Sequence, residues 1–211
     1  MGFFDRNRSQ LATKGIDPSR LPPGQYVTDR FPVLHAGHVP EYGSLDGWTL
    51  ELSGLLDRPA VLTWEQLTAL PSTDVVVDLH CVTKWSKFDS PWRGAAFETV
   101  LAEAGGPAAD ATHVLCHAEH GYSANVPLAD CLGFDAKGQP RAMVAYEYDG
   151  RPLDPEHGYP CRFIVPHLYL WKSAKWLRGL ELLPADRPGF WEQNGYHIYG
   201  DPFREQRFQG D

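Results

Sequence analysis

The sequence predicts a single β-rich α+β domain. Its 211 residues suffice for one medium-sized domain with a substantial core. Several apolar segments of strand length follow one another with only short helical segments between them, which disfavours a doubly wound parallel sheet. The 7 tryptophans, 9 tyrosines and 10 phenylalanines suit a packed β-rich interior that contains pockets.

Charge and targeting signals narrow the class of protein. The net charge of -8 disfavours a general binder of nucleic acid or of anionic membranes. No segment is apolar for long enough to span a bilayer, and the N-terminal MGFFDRNRSQLATKG lacks the apolar core of a signal peptide. The four cysteines form no C-x-x-C pair and no disulfide framework. We therefore expect a cytoplasmic protein with reduced thiols, no membrane span and no nucleic-acid partner.

Residues 1–30 predict an extended N-terminal arm. This segment is polar, and glycines and prolines interrupt it between residues 15 and 24. We therefore divide the chain into an arm over residues 1–30 and a folded domain over residues 31–211.

The first half of the domain contains two predicted strands and a helix. Apolar residues alternate with polar ones over residues 48–54, which predicts a half-buried strand that ends at a glycine. Thr63 opens the capping-box pattern Thr-Trp-Glu-Gln, and Pro71 ends the short helix that follows. Residues 74–81 predict a second strand whose inward face ends at Cys81.

The second half continues the same pattern. A helix is predicted over residues 97–104, where two glycines end it. Residues 161–165 form a short apolar run that Pro166 ends, and residues 175–183 alternate loosely. Strands are predicted over residues 112–118 and 141–148. Asp149-Gly150 after the second of these is a hairpin signal.

Cys81 admits two interpretations. As a small apolar side chain on the inward face of its strand it suits the core, where free cysteines are common. As a thiolate it is a ligand for a soft or high-valent metal, and the flanking His80 and Lys84 would help to stabilise that charge. The residues alone leave both interpretations open.

Positive charge is concentrated in and just after the segment HGYPCRFIVPHLYLWKSAKW. Its basic residues, Arg162, Lys172, Lys175 and Arg178, alternate with aromatic ones. Arginine and lysine recognise phosphate and other polyanions, and aromatic side chains cover flat rings, so the segment predicts a cradle for an anionic cofactor. A solvated basic strand with core aromatics on its other face is the alternative.

His113, His117 and His120 offer a competing zinc site. At strand rise, however, the first two lie about 13 Å apart, which is too far for one metal unless the segment bends. Ordinary polar or pocket-lining histidines are the alternative.

Three blocks of the sequence resemble the sulfite oxidase superfamily of molybdenum-cofactor enzymes. HCVTKWS resembles the family's cysteine motif, in which the cysteine binds molybdenum. AYEYDGRPLDPEHGYPCRFIVPHLYLWKSAKWLRGLEL resembles the signature that holds the molybdopterin, and FWEQNGYHIYGD resembles the segment with the active-site tyrosine. The likeness extends from about Phe31 to about Asp201.

The resemblance implies roles for individual residues. Cys81 would be the metal ligand and, with Tyr196, a catalytic residue. The implied cofactor contacts are Phe31, His35, His117, His157, Arg162, Ser173, Ala174 and Lys175. The loop that begins at Phe31 would close over the pterin.

The resemblance also implies a fold and an activity. It predicts one sulfite oxidase-type molybdopterin-binding domain with Mo-molybdopterin as the cofactor. The protein would be a molybdopterin-dependent oxidoreductase that transfers an oxygen atom to or from a small substrate such as sulfite or a sulfoxide. Two electrons would be exchanged with a separate electron-transfer partner. The alternative is a non-catalytic protein that carries or stores the cofactor, although a metal thiolate argues against a carrier.

The substrate contacts depart from the family pattern. Val33 stands where sulfite oxidases have an arginine, and Lys84 is the residue that could supply the missing charge. The chain also has no segment that resembles the haem domain or the dimerisation domain of the larger enzymes. It therefore resembles the small bacterial branch, which includes enzymes that reduce methionine sulfoxide.

Overall fold

The structure, a computed structural model, describes residues 7, 9 and 11–211. The described strands form two β-sheets. The first contains β1 (Tyr26–Val27), β4 (Ser72–His80), β5 (Trp85–Ala96), β8 (Met143–Tyr148), β9 (Arg151–Pro152) and β10 (Arg162–Ile164). The second contains β2 (Thr49–Gly54), β3 (Ala60–Thr63), β6 (His113–Ala118), β7 (Ser123–Pro127) and β11 (Leu177–Leu183).

The main core lies between the two sheets. In the first sheet β5 pairs antiparallel with β4 and β8, and in the second β11 pairs parallel with β2 and antiparallel with β6. Leu50, Leu52 and Leu180 from the second sheet share one buried cluster with Val144 and Phe163 from the first. This arrangement confirms the predicted β-rich α+β class.

Beyond the helical residues 11–13, the described α-helices are short: α1 (Trp64–Ala69), α2 (Phe97–Ala102), α3 (Leu128–Cys131) and α4 (Phe190–Gln193). The predicted capping box is present at the start of α1, where the Thr63 and Gln66 side chains each accept a hydrogen bond from the other residue's backbone N–H. Across the described part of the chain, no helix is both long enough and apolar enough to cross a membrane.

β5 is twelve residues long, and the sequence does not predict it. Its interior contains Pro91 and Gly94, two residue types that are typical of turns and bulges. Close packing requires the glycine, because a Cβ atom on Gly94 would lie 2.1 Å from the carbonyl oxygen of Val144 on β8. The residues that make the segment resemble a loop are therefore the ones that let its backbone approach a neighbouring strand.

The predicted N-terminal arm is not simply extended over its described part. β1 pairs in parallel with the start of β5. Leu11, Ile16 and Val27 are buried in a small cluster with Phe88, so this part of the arm packs against the domain. Residues 1–6, 8 and 10 lie outside the described residues, and the domain boundary at residue 31 stays a prediction.

Candidate functional site

One cavity of about 290 Å³ brings together most of the predicted site residues. Those that line it are Phe31, His35, Cys81, His157, Arg162, Ser173, Lys175 and Tyr196. His117 and Ala174 do not line it. The cavity therefore draws on the loop after the arm, the end of β4, the segment from residue 157 to residue 175, and the region after α4.

A tight hairpin turn places Cys81 at the cavity. The Cys81 N–H donates to the Trp85 carbonyl at 2.9 Å, and the Lys84 N–H donates to the Cys81 carbonyl at 2.9 Å. Lys84 has a φ of 75°, in the left-handed region that is typical of three-residue hairpin loops. The antiparallel pairing of β4 with β5 thus fixes the position of the cysteine, although the sequence predicts only β4.

The Cys81 thiol is free and buried. Burial raises the pKa of this thiol, and the Thr83 hydroxyl, which donates to Sγ at 3.1 Å, partly opposes that rise. A thiol in this setting stays protonated at neutral pH unless a bound cation stabilises the thiolate. The site is consistent with a metal ligand and not with a free nucleophile.

Arg162 is a buried cation that has no counter-ion among the described residues. Its guanidinium donates to the His157 carbonyl at 2.9 Å and to the Ser173 carbonyl at 2.8 Å, and it lies 5.4 Å from the Trp92 ring. Its Nε is buried with no hydrogen-bond partner among the described residues, and no described carboxylate pairs with it. Burial lowers the pKa of Arg162 to about 9. An anion in the cavity would complete this arrangement.

Lys175 adds a second cation on the same side. Its Nζ donates to the backbone carbonyls of Leu34 and Glu156 at 3.0 and 2.7 Å, and it lies 4.6 Å from the Trp176 ring. Burial, and then the charge of Arg162, lower the pKa of Lys175 to about 7. Two poorly compensated cations so close together mark the anion-binding part of the cavity.

The predicted cradle of four basic residues is wrong for Lys172 and Arg178. The Lys172 Nζ is fully buried, 2.6 Å from a Glu192 carboxylate oxygen. Arg178 pairs with Glu119 at 3.6 Å and lies over the Trp48 ring. Sequence proximity does not reveal which charges already have partners, so it overcounts the charges that are available to a ligand.

The loop over residues 31–36 forms one wall of the cavity. The Phe31 ring stacks on the His157 ring at 4.0 Å, and His157 Nε2 lies 3.2 Å from the Phe31 carbonyl oxygen. His35 meets the Trp176 ring edge-on at 5.6 Å. Burial lowers the pKa of His157, which favours the neutral ring that stacks here.

Tyr196 lies in an aromatic wall. Its ring stacks on Trp191 at 4.8 Å and meets Trp171 edge-on at 5.1 Å. Burial, and then interaction with Cys81, raise the pKa of Tyr196, so the side chain is a neutral phenol at physiological pH. The Cys81 side chain affects the pKa of Tyr196, and both residues line the cavity, so the phenol can donate a hydrogen bond in the vicinity of Cys81.

The three histidines of the predicted zinc site each contact a different partner. His117 Nε2 contacts Glu181 at 2.8 Å, because the two residues are diagonal neighbours on one face of β6 and β11. His113 lies 3.9 Å from Asp186, and His120 packs on His38. The described residues contain no group of three or more side chains suited to a metal ion, so the zinc hypothesis is wrong for them.

Sequence reasoning misses several residues that line the cavity. Tyr122, in the loop after β6, lines the cavity near the region to which the resemblance assigned His117. Its hydroxyl donates to the Trp171 carbonyl.

Three residues that the sequence analysis singled out lie outside the lining. Ala174 is buried in the main core, and its carbonyl accepts a hydrogen bond from the Phe163 N–H at 2.8 Å. Lys84 and Val33 are exposed and do not belong to the lining.

We expect anion binding to the cavity of the cofactor-free protein to weaken as pH rises above about 7. A bound anion raises the Lys175 pKa from its value of about 7, so the complex holds more protons above that pH and affinity falls. Calorimetric titration with sulfate between about pH 6 and about pH 8 measures the association constant at each pH. We expect that constant to fall by at most tenfold per pH unit. Lys175→Arg keeps its charge and should abolish the slope, whereas an equal slope in both proteins would contradict the prediction.

Comparisons with known proteins show the family to which the chain belongs. Residues 36–191 match the family described as Oxidoreductase molybdopterin binding domain. Uncharacterized oxidoreductase YuiH of Bacillus subtilis (strain 168) is 46% identical over 200 residues, which cover 94% of this chain and 98% of YuiH. Sulfite oxidase of Arabidopsis thaliana is 27% identical over 208 residues, with 82% of this chain and 52% of that protein covered.

A solved structure shares the fold. The sulfane dehydrogenase SoxCD from Paracoccus pantotrophus superimposes with a TM-score of 0.62 at 22% identity, over 72% of this chain and 41% of that chain. The family match covers most of the chain and includes the cysteine turn and the cationic segment. The chain therefore belongs to the oxidoreductase molybdopterin-binding domain family of sulfite oxidase-like proteins, and it is a molybdopterin-dependent oxidoreductase.

Proposed function

We propose that this oxidoreductase transfers an oxygen atom to or from a small substrate, such as sulfite or a sulfoxide, at a molybdenum centre held by Cys81. The observation that carries the proposal is one cavity in which a free thiol, a phenol and two poorly compensated cations meet. A thiol and a phenol suit the reacting end of such a site. The cations suit the anionic part of its cofactor.

The residues of the cavity fit the molybdenum cofactor. Cys81 offers a soft sulfur ligand for the metal. The unpartnered Nε of Arg162 and the ammonium of Lys175 offer charge-assisted hydrogen bonds to a phosphate. We propose Phe31, His35, His157 and Ser173 as further contacts, supported by their position in the lining.

When bound, the cofactor supplies a metal centre that exchanges an oxygen atom and two electrons. The protein supplies position and environment. Tyr196 donates a hydrogen bond from its phenol toward the oxygen that is transferred. Trp85, Trp171 and Trp191 line the cavity and exclude water from the reacting end.

The lining near Cys81 favours a substrate with an apolar part. Val82, Trp85 and Leu170 are among the lining residues, whereas Lys84 is exposed and is not one of them. The two cations of the lining, Arg162 and Lys175, would bind the anionic part of the cofactor. The apolar lining near Cys81 therefore supports a sulfoxide as the substrate at least as well as sulfite, which is a dianion.

We also propose that a separate redox partner exchanges the two electrons, as the resemblance to sulfite oxidases implies. A cytoplasmic location is proposed as well. The four free cysteines support it, because cytosolic thiols are kept reduced.

An assay of the molybdenum-loaded protein tests the proposal. Sulfite, sulfoxides and N-oxides would be offered with artificial electron carriers, while metal analysis and the visible spectrum report molybdenum and its thiolate bond. Turnover of one of these substrates supports oxygen transfer. Full loading without turnover of any of them favours the alternative of a protein that carries the cofactor.

Replacing Tyr196 by phenylalanine should lower turnover by about tenfold or more, because a hydrogen-bond donor at the reacting end is lost while the ring contacts remain. Molybdenum content should stay within about twofold of wild type, since the cofactor contacts are elsewhere. Steady-state kinetics normalised to metal content measures both quantities. A loss of loading equal to the loss of turnover would contradict this role.

A further inference from the structure

We propose that Glu192 is a positioning residue that fixes the orientation of Tyr196. The inference rests on the proposed function, because it concerns the reacting end of the same cavity. Glu192 is 2% exposed and does not line the cavity. Its side chain nevertheless accepts a hydrogen bond from the Trp171 indole, and it directly follows Trp191; both of these rings contact Tyr196.

One oxygen of the Glu192 carboxylate has two donors, whereas Oε2 is buried with no hydrogen-bond partner among the described residues. Oε1 accepts a hydrogen bond from Trp171 Nε1 at 2.7 Å and lies 2.6 Å from Lys172 Nζ. The Lys172 ammonium in turn donates to the Asn125 side chain at 2.9 Å and to the Ile198 carbonyl at 2.6 Å. This buried ion pair anchors one end of the Trp171 indole.

Backbone hydrogen bonds next to Glu192 hold the turn that contains Tyr196. Trp191 precedes Glu192, stacks on Tyr196 at 4.8 Å, and accepts the Tyr196 N–H at its carbonyl at 3.0 Å. The Glu192 carbonyl accepts hydrogen bonds from Gly195 at 3.2 Å and from the Gln209 side chain at 2.9 Å. Tyr196 therefore contacts two indole rings, one hydrogen-bonded to the Glu192 side chain and the other on the residue before Glu192.

The same network reaches the anion-binding part of the cavity. Trp171 and Lys172 directly precede Ser173, whose carbonyl accepts a hydrogen bond from Arg162 at 2.8 Å. Glu192 thus connects the segment that contacts the anion to the phenol near Cys81. Removing its charge should disturb Tyr196 more than Arg162, because Arg162 keeps its own hydrogen bonds to the His157 and Ser173 carbonyls.

A double-mutant cycle in the loaded enzyme tests the inference. Glu192→Gln should lower kcat by about tenfold or more, because small errors in the position of a reacting group are costly. KM and molybdenum content should stay within about twofold. In the Tyr196→Phe background the same change should lower kcat by less than about twofold, because groups that act as a unit are not additive.

Glu181→Gln is the matched control, since its carboxylate also accepts from basic side chains, His117 and Arg187, but lies outside the cavity. It should leave kcat unchanged. Equal losses from Glu192→Gln in the wild-type and Tyr196→Phe backgrounds would overturn the inference, because they would indicate a merely structural role.

A second measurement does not depend on activity. The ¹⁵N indole signal of Trp171, assigned with Trp171→Phe, should shift and exchange faster in Glu192→Gln and stay unchanged in Glu181→Gln. If Glu192→Gln does not fold, Trp171→Phe removes the indole donor and keeps the Lys172 ion pair, and its kcat loss should likewise vanish in the Tyr196→Phe background. An unchanged indole signal overturns the inference, whereas loaded wild type without turnover overturns only the proposed function.

Discussion

Replacing Cys81 by serine is expected to abolish turnover while the protein stays folded. Serine fits the space of the cysteine, keeps the backbone hydrogen bonds that close the hairpin, and offers Thr83 an oxygen acceptor in place of Sγ. It offers a hard oxygen where the metal needs a soft sulfur ligand. Removing even a residue that only hydrogen-bonds a metal ligand lowers metal affinity or activity by about 10- to 100-fold. We therefore expect loss of the ligand itself to lower turnover by more than about 100-fold. Turnover per molybdenum, circular dichroism and the thiolate band in the visible spectrum measure the effect.

Cys131→Ser is the control for this change. Cys131 is also free and buried, but it lies in α3 and does not line the cavity. Its Sγ contacts the Pro127 carbonyl at 3.6 Å, an acceptor that a serine hydroxyl can also use. The control should keep its activity. Retained turnover in Cys81→Ser with molybdenum bound would show that the assignment of the metal ligand is wrong.

Replacing Arg162 by methionine is expected to prevent efficient loading of the cofactor. Loss of one member of a buried charge pair costs about 2 kcal/mol or more, which is roughly a 30-fold loss of affinity. The cofactor-free protein loses two hydrogen bonds to carbonyls but also loses an unpaired buried charge, so these effects oppose each other. We therefore expect its Tm to change little. Molybdenum content per chain and thermal unfolding measure the two predictions.

Arg178→Met separates this effect from a general loss of positive charge. Arg178 belongs to the same basic segment, but it pairs with Glu119 away from the cavity. The variant should load normally. Equal loading defects in the two variants would indicate that net charge, rather than the buried guanidinium, controls uptake of the cofactor.

Much of the fold follows from local patterns. The alternation that leads into β2, the capping box of α1 and the Asp149-Gly150 turn between β8 and β9 are all present as predicted. These features depend on residues a few positions apart, so the sequence contains them in full. β5 and β7 do not follow in this way. β5 depends on a close approach to β8 at Gly94, and only the neighbouring strand reveals why a glycine is needed there.

The sequence also predicts most of the candidate site but misplaces one of its residues. The blocks around Cys81, His157 to Lys175 and Tyr196 come together in one cavity. His117 does not join them, because the pairing of β6 with β11 turns it toward Glu181. A match by sequence position cannot detect such a contact with a residue 64 positions away.

The sequence by itself determined the β-rich class, the molybdopterin family and the residue types that its cofactor needs. Only the tertiary structure decided which charges remain for a ligand. Lys172 and Lys175 are three residues apart in the same basic segment. Lys172 is neutralised by Glu192, whereas Lys175 has no ion-pair partner among the described residues. The physical reason is that the cost of a buried charge depends on what surrounds it in space, and folding brings those surroundings together from distant parts of the chain.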